Sequence, residues 1–509
     1  MPILAVRGGY SLVAMIFLLL FSQLLALGAP ISFPAESPAV QRLQAKLRLL
    51  QNDSLAQNGL VACCVQSVKT GAMVAELNSR KSAAPASTQK LITTATALSV
   101  LGEDFTFETK LEYSGELIQG VLNGNLYIRG SGDPTLGSDR FEGYPASAEL
   151  MPSWVAQVKA AGIRQINGAV VADARAFEEN ALPASWVWGD MGKYYGAAAY
   201  GININENLYR VFFQPGPAVG TPAKVQRTEP LVPGQELINL VTTGPAGSGD
   251  QCYIYGAPYQ TQQYLQGTIP AGVSSFPVRG SLPDPPFLCA YWLYHQLQAG
   301  GVAVRDLPTT DRQLRQQGQE LPAQRTLLLR HRSPPLKAIA EKTNFHSINL
   351  YAEALLKTLA RHFTRHPTQA TTELGAAATQ AYWQKKGLPT NGFWLKDGSG
   401  LSPKNALTAA QLTEILRLAA QEPVFPAFYA SIPVVGVSGT VKGLCKGTRA
   451  VNNVRAKSGT TERVKSYAGY FTSRSGELMS FALLVNNYDS DGNRVARQME
   501  AILAAMVEL

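Results

Sequence analysis

The segment from Pro85 to Leu101 constrains this chain more than any other. Ser87 and Lys90 stand three residues apart in Ala86-Ser87-Thr88-Gln89-Lys90. Leu91 to Leu101 then bring only apolar or small residues, with no charge before Glu103. This reads as a buried helix whose first turn carries a serine and a lysine on one face. A serine hydroxyl needs an adjacent base to act as a nucleophile. A lysine serves as that base only when burial or neighbouring cations lower its pKa. The N–H groups at a helix start favour a developing oxyanion. Ser-x-x-Lys alone is a weak signal, because an exposed serine and lysine on a helix produce it by chance.

The surrounding chain is that of a globular protein. Its 509 residues are 46% hydrophobic and 16% charged, which leaves room for about three domains. Among the first 28 residues the one charge is Arg7, and an apolar run from Leu12 to Leu27 ends in Ala26-Leu27-Gly28 before Ala29. That pattern reads as a secretory signal peptide, with a retained anchor as the alternative. The protein is therefore expected to be exported, to a periplasm or cell envelope. The net charge of +9 is dispersed, without a basic block interleaved with aromatics. It argues for solubility and at most peripheral attraction to an anionic membrane, and against nucleic-acid binding. Five cysteines are an odd number. Cys63 and Cys64 read as buried small hydrophobes, while Cys252 and Cys289 could pair.

Val40, Leu43, Leu47 and Leu50 recur at helical spacing. Strands are expected at Leu60 to Val68 and Ala72 to Leu77, joined by a Lys69-Thr70-Gly71 turn. Short β-like runs separated by Gly, Pro and Asn then dominate from residue 105 to about 300, with one helix from Ser147 to Ala161. This looks like an insertion of one or two small β-rich domains. Gly130-Ser131-Gly132-Asp133-Pro134 reads as a structural turn, and Trp186-Val187-Trp188-Gly189-Asp190-Met191 as an aromatic segment able to line a pocket. Leu307 to Arg325, rich in Gln, Arg and Pro, reads as a loose linker. His362 and His366 lack a metal-binding context and read as surface residues, so neither metal nor cofactor is called for.

Two further short motifs lie downstream. Ser347-Ile348-Asn349 falls between two expected helices, where both polar side chains could face one cleft. Lys457-Ser458-Gly459 precedes Thr460 and two strands, Val464 to Thr472 and Leu478 to Asn486. There it could set a cation, a hydroxyl donor and a close backbone beside a carboxylate. Each motif alone is common as a cap or a turn. All three in one order are not.

Together they resemble the penicillin-recognising serine acyltransferases. The closer resemblance is to the class C low-molecular-mass penicillin-binding proteins, the D-alanyl-D-alanine carboxypeptidase/endopeptidase family. Pro85-Ala86-Ser87-Thr88-Gln89-Lys90, the turns at 130–134 and 397–402, Trp186 to Asp190, Arg332 to Leu336, Asn349 to Glu353 and Ala456 to Thr460 carry it. It implies an α/β, multi-domain architecture: a transpeptidase-like domain of antiparallel sheet flanked by helices, with β-rich inserted domains. The corresponding division is 29–103 with 291–509 for the peptidase domain, and 104–290 for the insertion, one small domain nested in another.

The resemblance also implies roles. Ser87 would attack the carbonyl between two D-alanines of a peptidoglycan peptide, or of a β-lactam. Lys90 would take its proton, Ser347 would relay that proton to the leaving amine, and Asn349 would position the peptide or Lys90. Lys457, Ser458, Gly459 and Thr460 would face the substrate carboxylate, with the N–H groups of Ser87 and Thr460 as oxyanion hole. Asp190 would pair with the ammonium of a diamino-acid side chain. Pro403 and Lys404 stand where many members carry an arginine for that side chain's carboxylate. A β-lactamase and a non-catalytic wall-binding scaffold are the rival readings; a dedicated deacylating glutamate is missing for the first, and the intact polar set argues against the second.

Overall fold

The computed structural model describes residues 37–364, 370–489 and 491–509. The expected signal peptide, residues 1–28, and His366 lie outside the described residues. No helix among the described residues is long and apolar enough to cross a membrane.

An antiparallel sheet of five strands forms the centre, in the order Met73–Leu77, Leu60–Ser67, Leu478–Asn486, Val464–Thr472, Arg455–Thr461. Its inner strands bury both faces, so they read as continuous apolar runs, while the side chains still alternate. Val61, Cys63 and Val65 face one cluster with Leu43, Leu47, Met499 and Ile502, from the first and last described helices, Pro38–Asn52 and Gly492–Met506. Ala62 and Cys64 face the other, with Leu91, Ile92, Leu355, Leu412 and Leu416. The segment Pro85–Leu101 thus becomes the buried element expected of it. Ala86–Gln89 is a 3-10 turn and Lys90–Leu101 an α-helix, ended by Gly102 at φ 87°.

Residues between Leu101 and Pro334 add four more sheets. One runs Thr309–Thr310, Val170–Asp173, Leu126–Arg129, Glu108–Tyr113, Thr326–Arg332. The strands of residues 208–281 form two three-stranded sheets among themselves. Two expectations need correction here. The boundary at 290 falls inside the helix Pro285–Ala299, whose Leu288, Leu293 and Leu297 pack with Trp154, Ile128 and Ile166 of the insertion. The chain stays with the inserted sheets through Arg332, where Thr326–Arg332 pairs with Glu108–Tyr113. Nor is 307–325 a loose linker. Thr310 and Gln313 form a capping box on the helix Asp311–Gln316. Arg325 is buried between Glu112 and Asp173 and lies over the Tyr127 ring. Polar residues that look solvated in sequence are here consumed in ion pairs.

Cys252 and Cys289 do not pair; all five cysteines are buried free thiols. Burial pushes the Cys64 thiol up to about 11 and those of Cys252, Cys289 and Cys445 up to about 12. A thiol reacts as its thiolate. The native protein is therefore expected to resist a disulfide reagent at pH 8 and to titrate five thiols once denatured; fast labelling of the folded protein, or fewer than five after unfolding, contradicts this arrangement.

Candidate active site

The three polar motifs converge at the edge of the central sheet. Lys90 is fully buried, and its Nζ meets three groups: Ser87 Oγ at 3.1 Å, Asn349 Oδ1 at 2.5 Å and Ser399 O at 2.7 Å. A neutral amine has two N–H donors and one lone pair. Asn349 and Ser399 accept the donors, which turns the lone pair towards the Ser87 hydroxyl. Burial lowers the Lys90 pKa to about 7, against the opposing pull of Asp397 and Glu353. Ser87 itself is half-buried and reachable from solvent.

Ser347 ends the helix Leu336–His346 in a left-handed conformation, φ 57°, and Asn349 begins the helix Asn349–Thr364. That single left-handed residue reverses the chain between two helices, so Ser347 and Asn349 face the same cleft. Lys457 Nζ donates to Ser347 Oγ at 3.0 Å and to Ser458 O at 2.6 Å. Burial, then the Lys90 charge, holds the Lys457 pKa well below the usual lysine range. Ser458 donates to Thr440 Oγ1 at 2.7 Å, and Thr460 is exposed on the same edge strand. Gly459 lies close against the backbone of the Ser87 turn.

Ser87, Lys90, Ser347, Asn349, Lys457 and Gly459 therefore form one constellation. Asp190 sits apart, half-buried in the short helix Trp188–Met191 of the insertion, and accepts from Tyr195 O–H at 3.0 Å. Burial pushes its carboxyl up. The link to the constellation runs through the same tyrosine, whose carbonyl accepts from Asn349 Nδ2 at 2.7 Å. Among the described residues, no group of three or more His, Cys, Asp and Glu is placed to hold a metal ion.

Two buried acids underlie the site, and sequence reasoning gave them no role. Asp397 accepts from Gly400 N, Ser402 N, Asn405 Nδ2 and Trp186 Nε1 at 2.6–2.8 Å, and from Gln89 Nε2. Glu353 accepts from Gly398 N and Ser399 N. Burial and the Asp397 charge push the Glu353 carboxyl up to about 7. The turn they hold presents Ser399 O to Lys90. It also needs Gly400, because a Cβ there would meet Ala86 O at 1.9 Å. One signal was available: Glu353 interrupts the otherwise apolar stretch Leu350 to Leu356.

Residues 43–506 match the family model described as D-Ala-D-Ala carboxypeptidase 3 (S13) family. A D-alanyl-D-alanine carboxypeptidase of Actinomadura sp. is 29% identical, over 99% of this chain and 91% of that protein. The D-alanyl-D-alanine carboxypeptidase DacB of Haemophilus influenzae is 26% identical, over 86% of this chain and 87% of its own. The crystal structure of penicillin binding protein 4 (dacB) from that organism aligns with a TM-score of 0.76 at 24% identity, covering 92% of this chain and 97% of the other. A further structure of it, complexed with a β-lactam, aligns at 0.72 and 23% identity over 91% and 99%. The structural likeness is one of fold: the multi-domain α/β architecture is shared.

The close approach at Gly459 is testable. A methyl group there would lie 2.3 Å from Ser466 Oγ and 2.8 Å from both Pro85 O and Ser87 N. Backbone cannot give way as a flexible side chain does, so Gly459→Ala is expected to displace the Ser87 turn. A misplacement of about 1 Å costs roughly 100-fold in rate. Labelling of Ser87 by a serine-acylating probe should slow to that order in a folded Gly459→Ala protein; wild-type labelling rates refute the contact.

Proposed function

The chain belongs to the D-Ala-D-Ala carboxypeptidase 3 (S13) family, and from that premise we propose a serine hydrolase that removes the terminal D-alanine of peptidoglycan stem peptides. The reading extends to cross-link cleavage as a DD-endopeptidase and to covalent inhibition by penicillin. One observation carries it: a fully buried lysine whose amine, near neutral pKa, lies 3.1 Å from a solvent-reachable serine hydroxyl.

The roles follow from that geometry. Ser87 Oγ forms a bond to the carbonyl carbon between two D-alanines while Lys90 takes its proton. The carbonyl oxygen becomes an oxyanion, received by the N–H groups of Ser87 and Thr460. The C–N bond then breaks. Lys90 returns the proton by way of Ser347, which reaches Lys457 on its other side, and the amine leaves neutral. Water cleaves the ester and restores Ser87. Asn349 holds Lys90 in line rather than binding the peptide first. Lys457, whose pKa burial and the neighbouring Lys90 charge hold well below the usual lysine range, holds its proton more firmly when a substrate carboxylate arrives between it and Ser458. The substrate lies in the cell envelope, which fits the expected export of the chain.

The first test is acylation. Intact mass should gain one penicillin on a peptide containing Ser87, and none in Ser87→Ala. Lys90 must be unprotonated to act, and that form dominates above its pKa. The acylation rate should therefore rise about tenfold per pH unit below about 7 and level off above it. Lys90→Ala should lose at least 10²–10⁴-fold, roughly the contribution of a positioned base. An adduct elsewhere, rapid turnover of penicillin, or a flat pH profile overturns the assignment.

The second test concerns the peptide side chain. We propose that Asp190 pairs with the free ammonium of a diamino acid in the stem. At the position of the expected arginine, Pro403 and Lys404 are both exposed. Dependence on the ammonium should exceed dependence on a neighbouring carboxylate. Peptides carrying diaminopimelate or lysine should be cleaved about tenfold faster than norleucine peptides, and Asp190→Ala should erase the difference. Equal rates for all three peptides in wild type defeat the proposal.

A further inference from the structure

A cavity of about 250 Å³ opens beside Ser347 and Asn349. Its outer wall belongs to the insertion: Arg140, Tyr194, Glu206 and Arg279. His346 closes it on the peptidase side. The charges are unequal. Glu206 Oε1 accepts from Arg140 Nε at 2.6 Å, Ser138 Oγ at 2.8 Å and Tyr351 O–H at 2.6 Å, so the Glu206 charge is already paired with Arg140. Arg279 lies 3.8 Å over the Tyr194 ring and has no carboxylate partner among the described residues. Its guanidinium is exposed, oriented by stacking and free to bind.

This wall is held under strain. Asn205, Glu206 and Asn207 adopt φ of 53°, 54° and 53° in succession, a conformation that side chains rarely take. Asn207 Nδ2 donates to Ala198 O and Asn203 Oδ1, and its Oδ1 accepts from Ile204 N. The surrounding bonds over-determine the segment, as happens where a binding surface is fixed in place.

We propose that this cavity receives the leaving side of a cross-linked substrate, with Arg279 docking a free carboxylate of the second stem peptide. The inference rests on the reading above, in which Ser347 passes the proton to the leaving amine. Whatever is bonded to that nitrogen must then project past Ser347. In carboxypeptidase turnover the leaving group is a single D-alanine, whose carboxylate is already met by Lys457 and Ser458. In cross-link cleavage the same C–N bond breaks and the same proton is transferred, but the nitrogen carries a whole peptide with its own free carboxylates. A planar guanidinium beside the exit binds such a group by two parallel hydrogen bonds. Arg279 is a specificity-determining residue in this reading, not a catalytic one.

The experiment compares kcat/KM on an uncross-linked pentapeptide and on a cross-linked dimer, in wild type, Arg279→Ala and Arg279→Lys. Arg279→Ala is expected to lower the dimer value about tenfold more than the pentapeptide value, with Arg279→Lys in between. Amidation of the free carboxylates on the leaving stem should cost wild type a similar factor and Arg279→Ala almost nothing. Parallel losses on both substrates, no loss on the dimer, or insensitivity of wild type to amidation overturn the proposal. A wild type that releases D-alanine but leaves the dimer intact overturns it too. A wild type that is neither acylated by penicillin nor releases D-alanine fails the reading of the previous section instead, and this one falls with it.

Discussion

The exclusion of water from Lys90 is the constraint on which the rest depends. An ammonium in water has a pKa far too high to take a proton from serine at neutral pH. At Lys90 burial brings it to about 7. Burying a cation this deeply is costly unless its donors are satisfied, and each satisfying group comes from a different part of the chain. Ser87 lies in the turn before it, Asn349 starts a helix far along the chain, and Ser399 O belongs to a glycine turn. Neither acid, Glu353 nor Asp397, bonds the amine. Their N–H donors absorb the two carboxylates, leaving a pull on Lys90 too weak to restore its ordinary basicity.

The helix Asn349–Thr364 distributes that constraint. Asn349, Glu353 and Lys357 are four residues apart, lie on one face and are all buried. Asn349 reaches Tyr195 O, Glu353 holds the 398–399 backbone, and Lys357 donates to Ala181 O and Ala199 O and pairs with Glu178. A single polar stripe thus fixes two passes of the insertion and one turn of the core at a common register. The opposite sides of the helix are apolar and pack with Leu91, Ile92 and Trp383.

Periodicity made much of this legible in the sequence. Val40, Leu43, Leu47 and Leu50 are the buried residues of the first described helix, and the two C-terminal strands begin and end where their pattern places them. The three polar motifs marked the Ser87 turn, its neighbouring amine and the edge strand, which the structure brings together. The acids beneath were not legible as site residues, because Asp and Glu are seldom buried and their partners here are backbone N–H groups, which carry no sequence mark, and side chains distant in the chain, Trp186 and Gln89 among them. Left-handed backbone was invisible for the same reason. Nothing in the letters Ala86, Ser347 or Glu206 announces φ of 46°, 57° and 54°. Arg325 misled by composition: in a run of Gln and Arg it reads as solvated, whereas Glu112 and Asp173, distant in sequence, supply the charges that allow its burial.

The insertion is consequently more than an appendage on a complete enzyme fold. Trp186 Nε1 completes the donors around Asp397, and Tyr195 O takes the second half of the Asn349 amide. With that carbonyl gone, nothing fixes which way the amide faces. Rotated by half a turn, Asn349 would present N–H donors to Lys90 and remove an acceptor from a buried amine. The lone pair would lose its orientation towards Ser87. Local opening of residues 186–195 would thus disturb the base without moving the nucleophile. Substrate seated against Asp190 or Arg279 would press the same segment closed. On the proposed reading, recognition of the peptide and alignment of Lys90 would be joined through one backbone carbonyl, and substrate contacts on the insertion would contribute to the rate as well as to binding.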